Sequence, residues 1–338
     1  MPRNRRINRL EEGWHAWPPW GRAILVLTLL LPGCSIKGMA MNSLADALAG
    51  QGEGGSVYLS DNDPVLVGEA LPFSLKLMES ILQETPKHEG LLVATAAGFV
   101  SYSEMWVLRP SKYLERTDFY SARSERMRAK ALFLRAKDYA GEALDLRYPG
   151  FTSRLDHSPD SAVLEFEAED LPGVYWYTAA LGRAISTDLG DADLLVQGRV
   201  VRALLERALD LDPDWNQGAL HELVMGLPTQ LGGSPERTEE AFAIAMELNG
   251  GRSLGPMVSL AEAVHVHRQD REAFTRILAE VLDFDVDRYP ENRLTNILSQ
   301  QHARWLLDRA DELFWADPRG ADHLPFTDDS RTPWPFHY

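Results

Sequence analysis

The chain has 338 residues, 45% of them hydrophobic, with 50 Asp and Glu against 34 Lys and Arg, a formal net charge of −16. That acidity argues against nucleic acid and anionic lipid surfaces as partners. The length supplies ample core for one large domain or two small ones, and a single cysteine leaves no partner for an internal disulfide.

The first elements lie around that cysteine. Arg3, Arg5, Arg6 and Arg9 form a positive opening, followed by a short apolar run from Ala23 to Leu31. As a helix the run reaches about 13 Å, under half the hydrocarbon thickness of a bilayer, so it reads as the apolar region of a signal peptide rather than a span. It ends in Leu31-Pro32-Gly33-Cys34, which resembles the bacterial lipobox. The resemblance implies diacylglycerol on the Cys34 sulfur, cleavage after Gly33 and acylation of the new N-terminus. Several acyl chains together anchor a protein firmly where one alone is marginal. Residues 1–33 are thus expected to be a lipoprotein signal peptide. The segment carries five arginines against Glu11 and Glu12, so the remaining chain would be more acidic still. Ser35 follows the cysteine, where enteric-type sorting uses aspartate to retain a lipoprotein at the inner membrane, so serine favours the outer membrane.

Residues 34–62 read as a lipidated N-terminus and Gly-rich linker, ending in "GQGEGGSVYLSDNDP". From residue 63 to 316 the pattern is helical. Leu71, Leu75, Met78 and Leu82 recur at spacings of four, three and four, the stripe of one helix face, and Thr85-Pro86 stops that helix. Leu91 to Val107 predicts a second helix rich in small residues, and Ser121 to Leu146 a long third ending at Tyr148-Pro149. No window alternates apolar and polar residues between hairpin turns. The chain is expected to be all-α, with residues 317–338 an irregular Pro-rich tail.

The helix exits "LDLDPD" at Leu209, "MELNGG" at Met246 and "LDFDVD" at Leu282 fall 37 and 36 residues apart, close to the 34 of tetratricopeptide (TPR) repeats. Val201, Leu205, Ala208 and Pro213 match the second repeat helix. In the next unit Gly226, Phe242 and Ala245 match, while Thr238 and Gly250 replace the usual Ala and Pro. This pattern predicts degenerate TPR-like helix pairs stacked into a compact superhelix with a concave face, an architecture used for binding. Generic antiparallel helices with similar stops are the alternative.

The catalytic and metal motifs fail in their context. Gly50, Gly52 and Gly55 satisfy G-x-G-x-x-G, but the helical "LADALAG" precedes them where a strand is required. Gly251 to Gly255 satisfies G-x-S-x-G, but a helix leads in and Pro256 opens the next, so a helix–helix turn is expected. Asp283, Asp285 and Asp287 start a calcium-loop spacing that lacks Gly at position six and Glu at position twelve. The run from Asp210 through Asp212 to Asp214 fails likewise. His265 and His267 sit two apart, whereas helical zinc ligands usually sit four apart. No catalytic residue, metal ligand or cofactor is assigned, and a non-enzyme is expected.

Five stretches in order, "GCSIKGMAMNSLADAL", "DNDPVLVGEALPFSLKLMESIL", "RAKALFLRAKDYAGEAL", "GPMVSLAEAVHVHRQDREAF" and "NRLTNILSQQHARWLLDRADELF", resemble the T-component family of tripartite ATP-independent periplasmic (TRAP) transporters, which are TPR-containing periplasmic lipoproteins. The resemblance runs from Cys34 to about Phe314, and Cys34 is the one position whose role carries over. It implies a periplasmic TRAP solute-binding protein as partner, self-association (a trimer among the options), and a pore or groove for a small apolar ligand. The aromatic cluster Tyr175, Trp176 and Tyr177 after Pro172-Gly173, with Trp106, Trp215 and Trp305 elsewhere on helices, offers lining residues. Trp176, Tyr175 and Trp106 are the chosen candidates. On a helix Tyr175 and Tyr177 point apart, so only part of the cluster can line one cavity. A TPR scaffold in cell-envelope assembly with no small-molecule ligand is the competing function.

Overall fold

The computed structural model describes residues 36–50 and 57–315. The chain divides into two units at Leu44/Ala45, and the described residues of the first, 36–44, are helical. Cys34, the signal-peptide segment and the Pro-rich tail lie outside the described residues.

Among the described residues the secondary structure is helical, with no strand. Helix α1 runs Ile36–Ala49, where a linker was expected. Its sequence is dense in Ala, Leu and Met, good helix formers, and the glycines that signalled a linker begin only at Gly50. The residues just before the domain are not free linker either. Leu59 and Ser60 offer their carbonyls to Leu294 N (2.9 Å) and Arg293 Nη1 (2.9 Å).

Helix α2, Pro64–Glu84, starts where Asp63 accepts hydrogen bonds from Val65 N and Leu66 N at 3.0 and 3.1 Å, with Pro64 in its first turn. It buries Leu75, Met78 and Leu82 of the expected stripe, and Thr85 closes it through bonds to the Ile81 carbonyl. Helix α3, Glu89–Tyr102, carries on without a break through a π-helical turn, Ser103–Leu108, into Arg109–Leu114. The widened turn comes just before Pro110, which has no N–H to give. This helical stretch, Glu89–Leu114, is long and apolar enough to cross a membrane. Half of it is buried against its neighbours, which accounts for its composition as that of a central core helix.

Helix α4, Phe119–Arg147, spans about 43 Å and shows alanine to its neighbours. Ala122, Ala129, Ala136, Ala140, Gly141 and Ala143 are buried, which lets α5, Leu171–Thr187, lie close across it. Helices α6 (Gly198–Leu211), α7 (Trp215–Met225) and α8 (Pro235–Asn249) follow, then α9 (Arg271–Asp283) and α10 (Arg293–Asp308). Consecutive helices pack together: α3 on α4, α4 on α5, α5 on α6, α7 on α8, α9 on α10. Val201, Leu205 and Ala208 of α6, and Thr238 and Ala245 of α8, are all buried.

The G-x-S-x-G stretch is a helix–helix turn. Gly250 and Gly251 take φ of +62° and +70°, and Asn249 Oδ1 accepts from Gly251 N at 2.7 Å. The fully buried Asn296 pins the far side, accepting from Leu254 N (3.0 Å) and donating to the Arg252 carbonyl (2.9 Å). The two aspartate runs are also turns: Asp212 and Asp285 accept from the backbone N–H two residues on.

Candidate ligand-binding site

The start of α5 presents Tyr175, Trp176 and Tyr177 on successive faces, about 100° apart. Tyr177 turns inward over Gly141, where a Cβ would lie 3.3 Å from its ring. Tyr175 and Trp176 stay half-buried. Their ring centroids are 4.8 Å apart at 84°, and Trp215 meets Tyr175 at 5.0 Å and 44°. None of these is a parallel stack that would hide both faces of a ring.

Trp215 is aimed by an unusual turn. Asn216, Gln217 and Gly218 have φ of +48°, +58° and +90°, three left-handed residues in a row. Glycine is required at the third, because a Cβ on Gly218 would sit 3.1 Å from Ala245 Cα of α8. Asparagine and glutamine hold that conformation at a cost of roughly 1 kcal/mol or more each.

Beyond that turn α7 carries Glu222, half-buried, its Oε2 near Gly255 at the start of the short helical segment Gly255–Leu260 that follows α8. Among the described residues neither the Glu222 carboxylate nor the Tyr175 hydroxyl has a hydrogen-bond or ion-pair partner. Burial pushes the Glu222 carboxyl up to about 7. Burial, and then the charge of Glu222, pushes the Tyr175 phenol well above its ordinary value.

Trp106, the third expected lining residue, is elsewhere. On the π-helical turn it stacks on Tyr102 at 6.4 Å and donates from Nε1 to the Pro64 carbonyl at 3.0 Å. It joins α2 to α3 and makes no ring contact with Tyr175 or Trp176.

A cavity not foreseen in the sequence, of about 350 Å³, is lined by Leu108, Lys112, Arg126, Arg183, Thr187 and Trp305, among others. Its cations are matched. Arg183 binds Glu104, with Nε donating at 2.8 Å, Arg126 binds Glu115 at 2.7 Å, and Lys112 lies 3.5 Å from Glu262. Behind it, Tyr113 O–H donates to His302 Nδ1 and His302 Nε2–H to Glu262, each at 3.1 Å. Burial pushes the His302 imidazole below its ordinary value, against the pull of Glu262, and raises the Tyr113 phenol to about 12. Burial alone would raise Glu262, but Lys112, His302 and Arg109 hold it well below the usual carboxylate range. This chain ties Arg109–Leu114 to α10. Its members lie 189 and 40 residues apart, so no local pattern could announce it.

The family model of the TRAP transporter T-component matches residues 60–314. An uncharacterized protein of Treponema pallidum (strain Nichols) is 29% identical over 306 residues, covering 85% of this chain and 94% of the relative. With about three quarters of its length matched from the first core helix to the last, this chain belongs to the TRAP transporter T-component family.

Proposed function

We propose that this protein is a non-catalytic, lipid-anchored subunit that works beside a TRAP transporter and holds a small, largely apolar ligand. Family membership supports the transporter association. The half-buried, non-parallel cluster of Tyr175, Trp176 and Trp215 is the observation that carries the ligand reading. Aromatic walls bind by burying area, at about 25 cal/mol per Å². The partner in this reading is a periplasmic solute-binding protein, docked on a body of degenerate TPR-like pairs that self-associates. Cys34 anchors it, facing the periplasm and more fittingly at the outer membrane. The deciding experiment is purification from the native host with mass spectrometry of both proteins and small molecules. Recovery of a solute-binding protein and a lipid-like or other apolar compound is expected. Recovery of outer-membrane assembly factors with no small molecule would replace this reading with that of an envelope scaffold.

A further inference from the structure

Helix α2 has a second apolar face besides the one it buries. Leu66, Ala70, Phe73 and Leu77 recur at spacings of four, three and four, which aligns them along one side of the helix. Phe73 is 74% exposed and Leu66 56%, and Leu77 is open as well, whereas Leu75, Met78 and Leu82 are buried on the inward side. A row of large apolar side chains left in water is a surface that another can cover, gaining about 25 cal/mol per Å². This stripe is its own complement when reversed. Set antiparallel against a second copy, with Ala70 facing the copy's Phe73, each phenyl ring meets a small residue and each Leu66 meets a Leu77. The match holds for both copies at once, as two-fold symmetry requires. In the same register Glu69 of each helix comes beside Lys76 of the other, along one flank of the seam. Glu69 is exposed and has no ion-pair or hydrogen-bond partner among the described residues. Lys76 rests on Glu79 at 2.8 Å, but Arg135 and Tyr139 also hold Glu79, so Lys76 can turn outward without stranding it. A parallel alignment would set Phe73 on Phe73 and bring neither charge to its opposite.

We propose that the exposed face of α2 is a two-fold seam between two copies of this chain, packed antiparallel. This gives the self-association in the reading above its surface and symmetry, and rests on that reading. From Leu66 to Leu77 the seam is about 17 Å long. Such a contact belongs to the small class of interfaces, below about 1,200 Å² of buried surface, so the dimer is weak and concentration-dependent. A different protein could cover the same stripe, but nothing in that contact would require the stripe to complement itself in size and in charge.

The test is sedimentation of the purified full chain over a concentration series, with Cys34 kept reduced so that a disulfide cannot imitate the contact. A reversible monomer–dimer equilibrium is expected. Phe73→Asp, at a site open enough to leave folding intact, should weaken it by about tenfold or more. Lys76→Glu should weaken it severalfold, since each Glu69 then faces a carboxylate. Adding Glu69→Lys to that variant should restore the dimer, because the reversed charges pair again across the two-fold axis. Circular dichroism checks that each variant is folded, and the result on the unaltered protein stands without them. Self-association unchanged in a folded Phe73→Asp protein, a closed trimer in place of the dimer, or a double variant no stronger than Lys76→Glu alone would overturn the seam and leave self-association standing. A monomer at every concentration would overturn the seam and the self-association together. If Phe73→Asp abolished capture of the solute-binding protein and left self-association untouched, the stripe would belong to that partner instead.

Discussion

Trp106 reaches across Gly68 to donate its indole N–H to the Pro64 carbonyl, at 3.0 Å. A Cβ on Gly68 would overlap the indole ring. The position sits inside α2, where alanine ordinarily improves on glycine by about 1 kcal/mol. Here the overlap decides the sign. Gly68→Ala should destabilise the protein by roughly 1–3 kcal/mol, as overpacking does. Urea unfolding measures it, and a gain in midpoint would mean that the indole moves aside at little cost.

Ala208 is 1% exposed on α6. Ala208→Asp would place a carboxylate there with no partner, at several kcal/mol. Thermal melts should show loss of the cooperative transition or a fall in Tm of well over ten degrees. A shift of a degree or two would mean that this face of α6 is solvated.

Asp170 is buried and accepts from Arg147, from Tyr148 Oη at 2.6 Å and from Glu167 N at 2.8 Å. It closes the loop that delivers Tyr175 and Trp176. Asp170→Ala should cost about 3 kcal/mol, since the phenol and the backbone N–H lose their acceptor. Denaturation midpoints give the cost. Trp fluorescence of the native state should shift as well if α5 loosens at its start.

The Glu222 carboxyl is raised from 4.5 to about 7. Between those values the folded protein holds this proton more firmly than the unfolded chain does. Its contribution to stability is therefore full below pH 4.5 and is lost as the pH rises through 7. Glu222→Gln cannot ionise and should gain on the wild type as the pH climbs. The difference should be on the order of 2 kcal/mol by pH 8, allowing for the solvent that reaches this half-buried group. Parallel unfolding curves at pH 4.5 and pH 8 read it directly, and a pH-independent offset would refute it.

Cys34→Ala should release the protein from membranes, as expected if the lipobox-like stretch is processed. Fractionation with palmitate labelling checks this. Retention of the variant in the membrane fraction would remove the anchor from the proposal.

The helical class was legible from spacing alone, because Leu75, Met78 and Leu82 declare a face within three turns. Capping chemistry was legible too: the G-x-S-x-G stretch resolved into the glycine turn its flanking helices implied. Tyr175 and Tyr177 diverge, as adjacent-but-one residues on a helix must. The N-terminal linker was misjudged because the glycines following Ala49 coloured the reading of the helix formers before them. Trp106 looked equivalent to Trp176, yet its role depends on Gly68 and Pro64, some forty residues away. Glu222 was missed entirely. One glutamate among many on a helix carries no local mark of burial.

The left-handed turn at Asn216–Gly218 also constrains how this segment can diverge. In an unbroken helix Trp215 and Glu222, seven residues apart, would be held on nearly one face by periodicity alone. With the turn between them, the bearing of the indole is set by three backbone torsion pairs rather than by helical phase. Each residue gained or lost there would swing Trp215 away from Tyr175. Homologous chains that keep the aromatic cluster should therefore avoid β-branched residues at Asn216 and Gln217, where φ is positive, and keep the spacing from Trp215 to Gly218 free of insertions and deletions.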